Sequence, residues 1–177
     1  MVRNRIVGVG SPHGDDQVGW RVVELLAEEH FPDAEVIAIR SASQLVDCFS
    51  ECQRAIVVDA CQTGSVPGTI TRLEWPDARM ARPRGPSTHG LGVVGAIELA
   101  DRLGRLPPEV ILYGVEMGAC RPATPLSPAV ESVLPELARR VGHEMRRAAS
   151  EGHGPVGDGI PIQGLLETRR VVERGMP

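Results

Sequence analysis

Apolar and polar positions divide the chain into short apolar runs and longer stretches with helical spacing. Residues 5–10 (RIVGVG), 34–39 (AEVIAI), 54–59 (RAIVVD) and 109–115 (EVILYGV) are short, rich in β-branched residues and bounded by turn formers, which predicts four strands. The run at 54–59 is apolar enough to be buried on both faces. Residues 69–75 (TITRLEW) alternate instead, which predicts a further strand at a sheet edge, antiparallel to its predecessor. A helix is predicted over 15–30, with Val18, Val22, Leu25 and Leu26 on one face and Asp15 and Asp16 at its positive N-terminal end. A short helix is predicted over 44–52, and another over 89–103 that buries Leu91, Val94 and Ile97. Pro128 opens a last helical region reaching about residue 149, where Val130, Leu134, Leu137, Val141 and Met145 form one stripe. Pro135 lacks a backbone donor and is expected to kink or split its first turns.

Gly64, Pro67 and Gly68 mark a turn, and residues 76–87, rich in proline and arginine, read as a loop. Strands alternating with helices predict an α/β fold with a mostly parallel sheet between helix layers, formed by residues 1–150 as a single domain. Residues 151–177 are then a tail, first rich in glycine and proline, with a short, loosely held helix at 164–177. In such sheets ligands bind beyond the carboxyl ends of the strands, which directs attention to the residues after the first, third and fifth strands.

Composition narrows the function classes. With 177 residues and 42% hydrophobic content, the chain can bury a sizeable core. Aromatic residues make up only 3% and the net charge is -4, so a nucleic-acid partner is not expected. The apolar stretch near the N-terminus is too short for a signal peptide, and no apolar run spans a bilayer, so a cytoplasmic location without a membrane partner is expected. Cys48, Cys52, Cys61 and Cys120 lack the density of a disulfide framework and the tight pairing of a zinc knuckle; they read as reduced, mostly buried thiols.

Three polar residues fall where the topology rule points. Asp16 follows the first strand, Asp59 ends the third, and His89 opens the helix after the proline-rich loop. Two carboxylates and an imidazole suit a divalent ion such as nickel or zinc, and three protein ligands leave positions open for water or substrate. Each residue also has a structural reading. Asp16 can be a helix N-terminal charge, Asp59 can cap a turn, and His89, after Ser87 and Thr88, can lie in a capped helix start. Gly8, Gly10 and Gly14 give G-x-G-x-x-x-G, with Pro12 removing an amide and two aspartates following, which disfavours a phosphate cradle. No G-x-S-x-G occurs, and Cys61 has no sequence neighbour that would activate it.

The segments GVGSPHGDDQVGW, VVDACQTGSVPGTI, STHGLG and YGVEMG, in this order, resemble the hydrogenase maturation proteases, and the likeness runs from about residue 4 to residue 148. The resemblance implies a three-layer α/β/α sandwich around a five-stranded sheet, of the phosphorylase/hydrolase-like kind. It also implies an endopeptidase that removes the C-terminal extension of a nickel–iron hydrogenase large-subunit precursor once nickel is inserted. Asp16, Asp59 and His89 match the family's metal-facing positions. Nickel would be supplied by the substrate protein, with zinc or cadmium able to stand in for it, and the partner would be that precursor. Monomer and dimer both stay open. A non-catalytic nickel-binding assembly factor for the same partner is the alternative, and a small-molecule hydrolase on a related fold is a third reading. The chain departs from the family pattern at Gln17, where glycine is usual, at Ser41-Ala42-Ser43-Gln44, and at Met117, where proline is usual. His13 is expected to be a loop histidine, with a ligand or proton-shuttle role as the other option.

Overall fold

The structure, a computed structural model, describes residues 4–80, 92–118 and 120–151. The expected tail and terminal helix beyond residue 151 lie outside the described residues. Five strands form one sheet: β1 (Asn4–Val9), β2 (Ala34–Ile39), β3 (Arg54–Cys61), β4 (Ile70–Glu74) and β5 (Glu109–Glu116). Their spatial order is β2-β1-β3-β5-β4. The first four in that order are parallel, with Ile6 opposite both Val36 and Ile56, and Ile56 opposite Ile111.

β4 is antiparallel and lies at the edge, as its alternation predicts, but its partner is β5 rather than its chain predecessor β3. The half-buried β4 suits an edge, whereas β3 and β5, apolar on both faces, take the interior. The chain leaves β1 to β2 on one side and then crosses β1 to reach β3. The switch point therefore falls between β1 and β3, and a crevice opens at their carboxyl ends.

Helices α1 (Val18–Ala27), α4 (Pro128–Glu131) and α5 (Leu134–Glu151) cover one face of the sheet, where Val18, Val22, Leu26, Leu137 and Val141 pack on Ile6, Ile56, Val58 and Tyr113. On the other face, α2 (Leu45–Cys48) and α3 (Val93–Arg102) pack Leu45, Val46, Ala96 and Ile97 on Val7, Val57 and Leu112. The stripe Val130, Leu134, Leu137, Val141 and Met145 is buried throughout. Each such side chain contributes roughly 2 kcal/mol as an upper figure.

Several boundaries differ from the sequence reading. The expected helix 15–30 begins with a separate 3-10 turn at Gly14–Gln17 and ends at Ala27, and Leu25 is 47% exposed because the stripe runs through Val22, Val23 and Leu26. The helix expected at 44–52 starts earlier and stops at Cys48. Ser41 and Gln44 form a capping box that begins a 3-10 turn at Ala42, and Glu51 adopts a φ of 59°. Residues 128–151 form two helices, with the break at Ser132 and Val133, one turn before Pro135 sits in the donor-free first turn of α5.

Candidate active site

The chain turns back sharply after β1. Gly14 has a φ of 53°, and the 3-10 turn Gly14–Gln17 carries Asp15 and Asp16 back across the strand end. The glycines of this region serve close backbone approach. A Cβ on Gly8 would lie 2.1 Å from the Gly19 carbonyl oxygen, and one on Gly10 would lie 2.3 Å from that of Asp16. On Gly19 it would lie 2.2 Å from the Val9 oxygen and 2.6 Å from the Val58 oxygen. The first turn of α1 is thus sunk onto β1 and β3, which places Asp16 over the switch point.

Asp59 comes two residues before the end of β3, on the same side of the strand as Val57 by alternation, hence toward the α2/α3 layer. It is half-buried. Burial pushes its carboxyl up to about 7, and the charge of Asp16 pushes in the same direction, while a hydrogen bond from the Ala60 amide opposes them. Two of the three expected residues, Asp16 and Asp59, therefore sit within electrostatic reach of each other. His89 lies outside the described residues; in sequence it precedes by three positions Gly92, the extended residue before α3. Among the described residues, no group of three or more histidine, cysteine, aspartate or glutamate side chains is placed to hold a metal ion.

Two further carboxylates, Asp15, which the sequence reading offers only as a helix N-terminal charge, and Glu116, tie together the loops around this crevice. Asp15 is fully buried and accepts hydrogen bonds from the Gly118 amide (2.8 Å), the Ser127 amide (2.6 Å) and the Ser127 hydroxyl (2.9 Å). Of the adjacent aspartates, one is a structural clasp and the other faces the crevice. Glu116, at 4% exposure, ends β5 opposite Cys61 and gathers the loop after Asp59. It accepts from the Thr63 amide and hydroxyl, the Gly64 amide and the Cys61 thiol. Burial pushes this carboxyl up, but the hydrogen bonds from Thr63, Gly64 and Cys61 outweigh it and hold the group below the usual carboxylate value. The sequence signals for Glu116 are its place in the segment YGVEMG and its position as the acidic residue that closes β5.

Gln17, where the family pattern has glycine, donates through Nε2 to the carbonyls of Gly14 (3.0 Å) and Thr124 (2.8 Å). His13 Nδ1 accepts from the Ala123 amide at 3.3 Å, so this exposed histidine also joins the loop after β1 to the loop after β5. Ser41 and Gln44 are engaged in their capping box.

The cysteines are free, as expected, but only Cys52 is buried; Cys48 and Cys61 are half-buried and Cys120 is exposed. Cys61 lies in the right region for a nucleophile, yet burial, reinforced by Glu116, pushes its thiol up to about 12. It stays protonated at neutral pH and is not activated for attack. The chemistry available in the crevice is that of two neighbouring carboxylates, one of them poised near neutrality.

Residues 20–144 match the hydrogenase maturation protease family, HycI. The chain is 29% identical over 148 residues to the hydrogenase expression/formation protein HupD of Thiocapsa roseopersicina, an alignment that covers 76% of this chain and 67% of that protein. Its fold is similar to that of the hydrogenase maturating endopeptidase HybD from E. coli, with a TM-score of 0.68 at 23% identity, covering 82% of this chain and 93% of the other. It is also similar to the hydrogenase 2 maturation peptidase from Thaumarchaeota archaeon SCGC_AB-539-E09, with a TM-score of 0.59 at 27% identity, covering 81% and 98%.

Proposed function

The chain belongs to the hydrogenase maturation protease family and is a peptide-bond hydrolase, and from that premise we propose that it removes the C-terminal extension of a nickel–iron hydrogenase large-subunit precursor after nickel insertion. The observation that carries the assignment of the site is the pairing of Asp16 with Asp59 at the carboxyl ends of β1 and β3. Two carboxylates in one half-buried crevice repel each other, and a cation between them relieves that repulsion. The nickel belongs to the substrate: a precursor whose metal is in place presents the cation that the two aspartates lack. His89 completes the set as the neutral imidazole ligand, in keeping with its position before α3.

In this reading Asp16 and Asp59 bind and orient the substrate's metal-bearing site, and the scissile peptide lies beside them. By sequence position alone Asp16 is the candidate for proton transfer. The raised carboxyl of Asp59 belongs to the metal-free crevice and falls once a cation sits between the two aspartates, so it assigns Asp59 no proton-transfer role. Nickel supplies Lewis-acid polarisation when present. We place this role in the cytoplasm; among the described residues no helix is long and apolar enough to cross a membrane.

The deciding experiment incubates the purified protein with nickel-loaded and nickel-free precursor and follows the precursor's mass. The expected result is loss of the extension only with nickel, abolished by His89→Ala and by Asp16→Asn while the far-ultraviolet circular dichroism is unchanged. Nickel binding by the protein with no change in the partner's mass would instead establish an assembly factor. Full activity in His89→Ala would remove that residue from the site.

A further inference from the structure

The last rungs of the sheet beside the crevice are held by a carboxylate. Val57, Asp59 and Cys61 alternate onto the α2/α3 side of β3, and Gly114 and Glu116 of β5 lie opposite Asp59 and Cys61. Gly114 adds no side chain to the row of Asp59, and the Cys61 thiol leans toward that space: a Cβ on Gly114 would lie 3.2 Å from Cys61 Sγ. The thiol, raised chiefly by burial, also feels the charges of Glu116 and Asp59, so it lies within reach of both carboxylates.

β3 ends on Cys61, and the chain leaves it in a turn whose residues 62–67 are all exposed, Val66 by 75%. Apolar burial does little to hold such a turn. Glu116 fastens it instead. Its Oε1 accepts from the Gly64 amide (2.9 Å) and its Oε2 from the Thr63 hydroxyl (2.7 Å), while the Thr63 amide lies 2.9 Å from both oxygens. The Cys61 thiol donates to Oε2 at 3.7 Å. The backbone of the same residue takes the far end of the loop: the Glu116 amide donates to the Thr69 carbonyl (3.0 Å), and the Glu116 carbonyl accepts from the Gly68 amide (2.8 Å). Donors that converge on a charged acceptor bind more strongly than neutral pairs and fix direction as well as distance. Asp59 is two residues before the end of β3, and the charge of Asp16 opposes its own. Strand ends open before strand centres, and a displacement of about 1 Å at a group that orients substrate can cost about a hundredfold in rate.

We propose that Glu116 is a positioning residue, whose carboxylate fixes the Cys61–Gly64 turn and so holds the end of β3 where Asp59 meets the substrate's metal-bearing site. The role of Asp59 rests on the function proposed above; the hold of Glu116 on the turn does not. Cys61 then serves as one of the donors to Glu116 and not as a nucleophile.

The test uses the full chain. Glu116→Met keeps the length of the side chain and removes both acceptor oxygens. Thr63→Val removes the hydroxyl from an exposed residue and keeps its shape, and Thr63→Ser keeps the hydroxyl. Amide hydrogen exchange reads the hold directly: Glu116→Met should speed exchange at residues 60–64 roughly tenfold, with β1 and β2 unchanged. Processing of the nickel-loaded precursor reads the positioning. At saturating precursor, Thr63→Val should lower kcat roughly tenfold, Glu116→Met at least as much, and Thr63→Ser should keep the wild-type kcat. The double variant Glu116→Met/Thr63→Val should be no slower than Glu116→Met alone, because both changes act through one network. Unchanged exchange in Glu116→Met would overturn the proposal. So would full kcat in Thr63→Val, Thr63→Ser as slow as Thr63→Val, or additive losses in the double variant. Should Glu116→Met fail to fold, the two Thr63 variants decide by the same two measurements. Faster exchange in the variants with no cleavage by the wild type would sink the proposed function and leave the hold of Glu116 standing, so the two failures are distinguishable.

Discussion

Asp59 and Asp16 show how much one residue's environment decides. Asp59 is at the end of a buried strand, and both burial and its acidic neighbour disfavour its charge. Its folded value, about 7, lies above the ordinary 3.8, so ionising it costs stability. The sign follows: below about pH 4 both folded and unfolded states are protonated and the group contributes nothing. Stability then falls between about pH 4 and 7, and the full cost persists above that. Asp59→Asn is therefore expected to stabilise the metal-free protein at pH 8, by an amount on the order of 1 to 3 kcal/mol, and to leave it nearly unchanged at pH 4. Thermal melts of both proteins at several pH values would check this, and a gap that does not vary with pH would exclude the carboxyl's ionisation as its source. Asp15, one residue from Asp16, has the opposite fate: three donors surround it and it serves as a clasp. Sequence offers both aspartates as helix N-terminal charges, and only the direction of each side chain in the 3-10 turn separates them.

At the scale of elements, the first turn of α1 seats the 3-10 turn that carries Asp15 and Asp16. Its seat depends on Gly19, which touches β1 and β3 through backbone atoms that cannot move aside as side chains do. Gly19→Ala is expected to lift the helix and cost roughly 2 kcal/mol or more. Gly92→Ala, where an added Cβ meets nothing within 4 Å among the described residues, should cost far less. Urea unfolding of the two variants gives the comparison, and equal losses would show that the close approach is not limiting. The stripe shared by α4 and α5 was legible in full, since Val130, Leu134, Leu137, Val141 and Met145 are all buried. The ends of α1 and α2 were not, because Gly14, Ser41 and Glu51 set them through local backbone conformation and capping rather than through periodicity. Edge position was legible for β4 in its alternation. Its partner was not, because β5, the strand that enters between β3 and β4, lies beyond α3 along the chain.

Across the whole molecule, the amino-terminal end of the sheet is fastened by a polar cluster remote from the crevice. Arg54, 8% exposed, donates to the Glu144 carbonyl at 3.1 Å and pairs with Glu109 at 2.7 Å, while the Glu144 side chain binds Arg72 and Tyr113. β3, β4, β5 and α5 are joined there. The pull of Arg72, with help from Tyr113 and Arg54, holds the Glu144 carboxyl at about 2 against an ordinary 4.5. Its stabilising contribution is complete above about pH 4.5 and is lost as pH falls through about 2. Glu144→Gln should destabilise the protein by about 2 kcal/mol at pH 7, with the difference shrinking toward pH 2, as measured by urea unfolding at each pH. A variant as stable as the wild type at pH 7 would show the cluster to be dispensable.

Periodicity alone carried the layered α/β class, the buried third and fifth strands and the covering stripe of the last two helices, and it directed the expectation of a ligand site to the region beyond the strand ends. Those properties follow from periodicity and from the rule that parallel sheets gather ligands at their carboxyl edges. Only the folded arrangement brings the charge of Asp16 to bear on Asp59 while Asp15 turns to Ser127, lets Glu116 gather the loop after Asp59, and lines one cleft with arginines from β4 and α5. Each of these joins residues far apart along the chain, and their meeting depends on strand order and on how deeply a helix is seated, neither of which local spacing encodes.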